Sequence, residues 1–587
     1  MTGAAPEARI PDDIDDRTYR LVLFAVAAAA ILVRVIFPLA DPPWQMPAGV
    51  VWHDEGAWTH NARNMALFGT WETDRWNPMY LAPVFTALEY VSFRLFGVGL
   101  WQARLVSEVL GLASVLLLAG AVRHAAGRAA GAFAGALAAT NFVWVMWNRA
   151  ALLETPMVVP MVAALYAYAR GDRAQGWRAA AWGAAAGACG MVAFFAKAAA
   201  AFFLAALAVV ALLGVLRQPF DRERSSGTGS SDRVHLGVLA GLGVSAVVAA
   251  AVFVIPHWSE FRFYNWQMSV TRKPSYSWDA FVDRASWLPV VNDFFTRMWM
   301  VLLLAFGAAW GVAARWRRAT AAEWLAVAWV ALGCAELIVH DTGNERRFVF
   351  LIPPLVALAA IVLGRDRRLL APETAAYGVR RLLLAIPIVL FGFYMLAGAA
   401  ARVAFEHQIR PGVRAGTVAA VLLAAALVAM WPRPARWLSS GRWSLGASLV
   451  LVAVIVAGDL AEFVQYSAGR TYYNYEAMRS VGEWLPPGTL VQGKLANGLA
   501  LESRIRPVFV GRGFGNYDDR LRRDDIRYVL TYTRPYLGYE GRVILDVLRA
   551  SRFKVVRRFR VVESSTGDDE AALLEKVPPG AAPAEMR

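Results

Sequence analysis

The sequence predicts an all-α polytopic membrane bundle of about thirteen spans followed by a small C-terminal α/β domain. Three observations carry this. The 587-residue chain is 58% apolar, has a mean hydropathy of +0.41 and is only 18% charged, which is too apolar for a water-soluble protein of this size. Apolar runs of roughly the length of a bilayer crossing recur from Leu21 to about residue 464. From about Tyr466 the composition turns polar, with short strand-like runs between turn residues.

Residues 1–20 form a polar leader with Asp12-Asp-Ile-Asp-Asp16. Its Asp13-Ile14-Asp15 copies a short motif of nucleotide-sugar enzymes, but directly before a membrane anchor it reads as an acidic leader. The run Leu21–Ala40 is long and lacks a small-residue cleavage site, so it predicts a retained first span rather than a signal peptide. A Trp-rich loop, 41–96, follows. Within it Leu81–Phe96 is semi-apolar with Glu89 and Arg94, the pattern of a helix lying along the interface. A second span runs over about 98–121, where Arg104 and Glu108 sit four apart and are expected to neutralise each other.

The third span covers about 130–147, then comes a turn, Asn148-Arg-Ala-Ala-Leu-Leu-Glu154, and a fourth span over about 155–169. Residues 180–216 are apolar for roughly two crossings and are interrupted only by Lys197, which predicts two spans turning at that lysine. A charged Gly/Ser-rich loop, 217–233, precedes a span at about 235–256 and a second long loop, 257–297, dense in Trp, Tyr and Phe. Further spans are expected at about 298–314, 322–339, 348–364, 380–401, 413–431 and 443–464, closing the membrane region 21–465.

Residues 466–565 read as the α/β domain, with strands expected near 489–492, 506–510, 526–533 and 553–562. Gly511-Arg-Gly-Phe-Gly515 follows a strand run, but Asn516-Tyr-Asp-Asp does not open a helix, so it is a poor dinucleotide site. Residues 566–587 are expected to be a disordered tail.

Charge sets the orientation. The loops around 123–128, 170–178, 217–233, 315–318, 365–381 and 433–442 are Arg-rich and alternate with the others, so the positive-inside rule makes them and the leader cytoplasmic. Parity then puts the 41–96 loop, Glu154, Lys197, the aromatic loop, the 341–347 turn and the C-terminal domain on the outer face of a plasma membrane. The net charge of +15 is spent in these clusters against lipid headgroups, and no basic domain interleaved with aromatics exists to hold nucleic acid. Cys189 and Cys334 both lie in apolar runs, which excludes a disulfide framework, and the histidines show no metal-ligand spacing. His53, His60 and His257 could meet at the outer surface as ligands or be ordinary loop histidines. No metal and no cofactor is expected.

The outer loop holds His53-Asp-Glu55, adjacent carboxylates that are either a reaction centre or two solvated acids. On the same face the parity argument gathers Glu154, Lys197, Arg346 and Arg347 at span ends, with Arg262, Arg272 and Lys273 in the aromatic loop. A carboxylate beside cations suits attack by a hydroxyl on a carbon that carries a phosphate leaving group. The acid takes the proton, and Arg or Lys holds the departing phosphate. The bland alternative is that these cations only reach for headgroups. Lys197, midway through an apolar run, is the hardest to explain that way.

In these residues the sequence resembles the GT-C superfamily of integral-membrane glycosyltransferases, and within it the protein O-mannosyltransferase and lipid A aminoarabinose transferase group, glycosyltransferase family 39. The resemblance rests on Asp54-Glu55 in the first outer loop, Phe96-Gly97, Glu154 after the third span, Phe194-Phe-Ala-Lys197 and Arg346-Arg-Phe-Val-Phe-Leu-Ile-Pro-Pro354. It departs from that pattern in Glu154, where many relatives carry Asp, and in Phe348, where Tyr is usual. The resemblance implies a sugar passed from a polyprenyl-phosphate donor to a hydroxyl of a glycan, lipid or protein, without a metal. Asp54 is then the general base or the acid that orients the acceptor, Glu55 and Glu154 support it or bind sugar hydroxyls, and Lys197, Arg347, Arg346 and Arg272 are candidates for the donor phosphate. A lipid or sugar transporter would carry charges deep in the bundle, and a non-catalytic envelope-assembly protein would tolerate loss of Asp54.

Overall fold

Asp15 caps the first helix, α1 (Asp16–Val35), by accepting a bond from the Thr18 amide at 2.8 Å, so the leader enters the apolar run within one turn. The computed structural model describes residues 14–43, 52–72, 74–221, 231–267, 293–314, 319–340, 345–364, 379–430, 445–510, 516–533, 541–562 and 569–577. Asp13, Arg272, Lys273 and Gly511–Gly515 lie outside the described residues, as does most of the tail. Among the described residues nine helices are long and apolar enough to cross a bilayer, ten if one bent pair is a single span. The expected thirteen are not matched one for one: Trp299–Ala313 and Pro411–Leu423 fall short of a crossing of about 20 residues, and Glu154–Gly171 is not among the helices apolar enough to cross.

The first long loop folds into two short helices, α2 (Trp52–Trp58) and α3 (His60–Phe68), followed by α4 (Pro83–Phe96). Helices α5 (Leu100–Ala126) and α6 (Arg128–Thr140) make a hairpin on Gly127, whose φ of 99° suits a residue without Cβ. The third span is not one straight helix. It breaks by 61° between α6 and α7 (Phe142–Asn148), where the Asn141 side chain caps α7 by accepting from the Trp144 amide at 3.0 Å. Next come α8 (Glu154–Gly171), α9 (Trp177–Ala196), α10 (Ala201–Asp221) and α11 (Ser231–Ala249). Helices α9 and α10 part at Lys197, which is extended (φ −162°, ψ 122°), where the sequence places the turn.

Helices α9 and α11 approach closely through Gly183 and Gly187 on one and Gly237 and Gly241 on the other. A Cβ on Gly183 would stand 2.1 Å from the Val234 carbonyl oxygen, and one on Gly241 2.2 Å from that of Ala184. Small residues four apart on both helices are what lets membrane helices pack backbone to backbone.

Beyond α12 (Trp258–Arg262) lie α13 (Phe294–Arg297), α14 (Trp299–Ala314), α15 (Ala321–His340), α16 (Glu345–Phe348) and α17 (Ile352–Gly364). The stretch Glu345–Gly364 is 89% buried, making it the axis on which the bundle packs. Helices α18 (Val379–Glu406), α19 (Pro411–Met430) and α20 (Leu445–Ala468) complete it.

The C-terminal domain runs α21 (Tyr473–Trp484), β1 (Leu490–Gln492), α22 (Lys494–Gly498), β2 (Arg506–Val508), β3 (Tyr528–Tyr532), α23 (Gly541–Ala550), β4 (Phe553–Val561) and β5 (Asp569–Lys576). The sheet order is β2-β1-β3-β5-β4, with β1 parallel to β2 and β3, and β5 antiparallel to β3 and β4. The expectation of a disordered tail beyond residue 565 is therefore corrected. Asp569–Lys576 is an interior strand bonded along both edges, with Ala571 and Leu573 fully buried. Its Ala, Leu, Glu and Lys favour helix, and the two-sided pairing overrides them.

The domain is bolted to the first long loop. The buried guanidinium of Arg63 donates to the carbonyls of Ala500, Ser503 and Ile505 at 3.1, 2.7 and 2.9 Å. Asp41 accepts from Thr471 Oγ1 and the Tyr473 and Asn474 amides. Burial pushes its carboxyl above the usual range while these bonds pull it back. Gly56 of α2 lies so close to α22 that a Cβ there would sit 1.9 Å from the Asn497 carbonyl oxygen.

Candidate active site

Asp54 and Glu55 are consecutive on α2 and face different partners. The Glu55 carboxylate is 1% exposed and takes both edges of Arg104, Nε to Oε1 and Nη2 to Oε2, each at 2.8 Å, plus the Ala151 amide at 2.9 Å. Arg104 also donates to the carbonyls of Pro38 and Ala40. The expected Arg104–Glu108 pair does not form, because the bidentate partner 49 residues away gives a better geometry than the helical neighbour. Glu55 thus fastens the loop to α5 and to the turn before α8.

Asp54 instead points to the bundle. Its Oδ2 accepts from Arg346 Nη1 at 2.8 Å, and its Oδ1 lies 3.4 Å from His53 Nε2. The same guanidinium donates through Nε to Glu154 Oε1, which also takes the Lys197 ammonium. One arginine therefore bridges two carboxylates, and the second carboxylate holds the lysine. Each group comes from a helix end or break: Asp54 from α2, Glu154 from the first turn of α8, Lys197 from the gap between α9 and α10, and Arg346 from α16. At such places free backbone groups and charged side chains are tolerated in a membrane bundle. Asp54 keeps 24% of its side chain exposed and Glu154 only 2%, so the first is the carboxylate that solvent reaches.

Arg347 lines a small cavity with Glu154, Lys197, Glu336, Arg346 and Phe350. Glu336 was not among the residues singled out from the sequence. Its signal was a carboxylate inside the otherwise apolar run Ala321–His340. Phe348, which stands where the resemblance expects Tyr, packs at 5.0 Å from Phe294 and 5.1 Å from Phe295 and belongs to the core. Arg262 is exposed on α12 and is not brought to the cluster.

His53, His60 and His257 do not converge. His53 is beside Asp54, His60 Nε2 meets Asp74 Oδ1 at 3.2 Å, and His257 stacks among Tyr80 and Phe253. Among the described residues no group of three or more His, Cys, Asp or Glu side chains could hold a metal ion. Of the described aromatic residues of the second loop, Trp258 and Trp266 are exposed and Tyr264 is buried. Tyr264 is packed against Trp76 and Tyr80 and donates to the Arg75 carbonyl.

Residues 80–224 match the model of the family described as dolichyl-phosphate-mannose-protein mannosyltransferase. That range contains Glu154 and Lys197. The whole architecture is similar to ArnT from Cupriavidus metallidurans bound to undecaprenyl phosphate, at 19% identity and a TM-score of 0.54, covering 97% of this chain and 100% of that one. Apo ArnT from the same organism is similar at 18% identity and a TM-score of 0.55, covering 95% and 98%. The family match spans about a quarter of the chain, and the likeness to ArnT shows the fold. No curated protein matches its sequence. The matched family segment supplies two of the four charged groups joined through Arg346.

Proposed function

We propose that this protein moves a sugar from a polyprenyl-phosphate donor to an acceptor hydroxyl on the extracytoplasmic face of the plasma membrane, with inversion. The supporting observation is the single cluster in which Arg346 joins Asp54 to Glu154 while Glu154 holds Lys197. ArnT bound to undecaprenyl phosphate shows that this fold accommodates such a lipid.

In the proposed step the acceptor oxygen attacks the anomeric carbon and the bond from that carbon to the phosphate oxygen breaks. Asp54, the exposed acid, takes the hydroxyl proton from the side opposite the leaving group. Lys197 and Arg347, with Arg346 behind them, take up the charge on the departing polyprenyl phosphate. Glu154 keeps Lys197 and Arg346 aimed and is a positioning residue. Glu55, saturated by Arg104, is assigned to holding α2 rather than to chemistry. The cavity beside Lys197 and Arg347 is small, about 20 Å³, so a phosphate enters by displacing a carboxylate–cation contact.

The test is transfer from a panel of polyprenyl-phosphate sugars by purified protein in liposomes, with products read by mass spectrometry. Asp54→Asn should abolish transfer while leaving expression and thermal stability intact. Transfer at wild-type rate by that variant would remove Asp54 from the mechanism.

A further inference from the structure

A second cavity, about 700 Å³, opens where the bundle meets the C-terminal domain. That is within the range of about 300–1,000 Å³ typical of ligand sites. Its walls come from α13, the end of α18, the end of α20, the connection into α21, and β4. It is distinct from the small cavity beside Lys197, with no lining residue in common.

Two of the four arginines of this cavity are paired with carboxylates. Arg297 donates to Glu345 at 2.8 Å and meets Glu462 at 3.2 Å, and Arg402 reaches Asp293 and Glu406. Four arginines and four carboxylates line the space, so its walls bring no excess charge of either sign. An anionic headgroup would have to compete with built carboxylates for Arg297 and Arg402, and with the Ser467 carbonyl and the Phe37 and Tyr473 rings for Arg470 and Arg560. What such walls offer instead is a dense set of donor and acceptor edges among aromatic rings, with Phe142, Tyr466 and Tyr473 lining the space. Alternating hydrogen-bonding edges and aromatic faces match the hydroxyls and C–H faces of an uncharged sugar.

The cavity is also mechanically close to the reaction cluster. Glu345 and Arg346 are neighbours on α16: the first anchors Arg297 in the cavity wall, the second bridges Asp54 and Glu154. On the opposite wall Asp41 follows Ala40, whose carbonyl accepts from Arg104, the partner of Glu55.

We propose that this cavity binds the acceptor, and that the acceptor is a neutral saccharide rather than a phosphorylated lipid or a charged peptide. The proposal rests on the glycosyl-transfer reading above. It assigns to the C-terminal domain, through Tyr473 and Arg560, a share of acceptor recognition.

The experiment uses the full chain in nanodiscs. Binding of maltotetraose, mannotetraose and arabinotetraose, and of phosphorylated counterparts, is measured by calorimetry, alongside binding of undecaprenyl phosphate. Gln465→Trp and Gly469→Trp place bulk in the cavity from exposed positions, so folding is not at risk. The expected result is that at least one neutral oligosaccharide binds, that both variants weaken it tenfold or more, and that undecaprenyl phosphate binds them as it binds the parent. Preferential binding of the phosphorylated sugars, no binding of any neutral sugar, or unchanged sugar affinity in both variants would overturn the proposal. Failure of the parent to bind undecaprenyl phosphate would instead count against the transfer reading, so the two failures are told apart.

Discussion

Two carboxylates one peptide bond apart, on the same short helix, occupy opposite regimes. Around Glu55 every bond is made: a bidentate arginine, a backbone amide, and almost no exposure. Around Asp54 the contacts are an arginine shared with Glu154 and a longer approach to His53, and a quarter of the side chain is open. A saturated buried ion pair holds a fold in one place. A shared and partly solvated one can exchange partners, which a group that receives protons or phosphates requires.

The strongest way to break this contrast is to remove one hydrogen-bonding oxygen from each acid. Asp54→Asn should cost about 10²–10⁴-fold in turnover with no change in melting temperature. Glu55→Gln strands a buried guanidinium, so about 3–5 kcal/mol of stability should go and activity should fall only in step with folded protein. Equal loss of stability in both would erase the distinction.

Lys197→Gln should raise the donor KM roughly tenfold, one charge-assisted contact, with Lys197→Arg recovering part of it. An effect on turnover alone would move Lys197 from phosphate binding to positioning. Gly56→Ala drives a methyl into the Asn497 carbonyl, and overpacking of this kind costs about 1–3 kcal/mol. Limited proteolysis should then cut the C-terminal domain faster while bundle fragments persist. The smallest expected change is from Tyr264→Phe, which loses the bonds to the Arg75 carbonyl and the Asn77 amide, about 1 kcal/mol in a melting curve.

What could be read from the sequence was whatever depends on local pattern. The apolar runs, the break at Lys197 and the polar C-terminal domain follow from composition within one window. The charged residues at span ends were identifiable one by one, since ionisable groups beside hydrocarbon are costly. Their partners were not. Helical spacing pairs Arg104 with Glu108, yet its partner is Glu55 in another element, and no spacing reveals that Arg346 bridges Asp54 and Glu154. Nor could residue spacing reveal that Arg63 reaches three carbonyls more than four hundred residues away. Asp569–Lys576 was missed for the opposite reason. Its local preference is clear and points to helix, and only two neighbouring strands make it extended.

That strand sits between β3 and β4 although it is the last of the five to be synthesised. A chain emerging from its amino end can thread its spans and form the β1–β2–β3 part of the sheet early, but β4 has no neighbour to pair with until β5 arrives. Biogenesis of this protein therefore ends with a zipper. A nascent polypeptide stopped a few codons short of Asp569 would leave an open edge outside the lipid, the kind of edge that quality-control proteases and stray strands recognise.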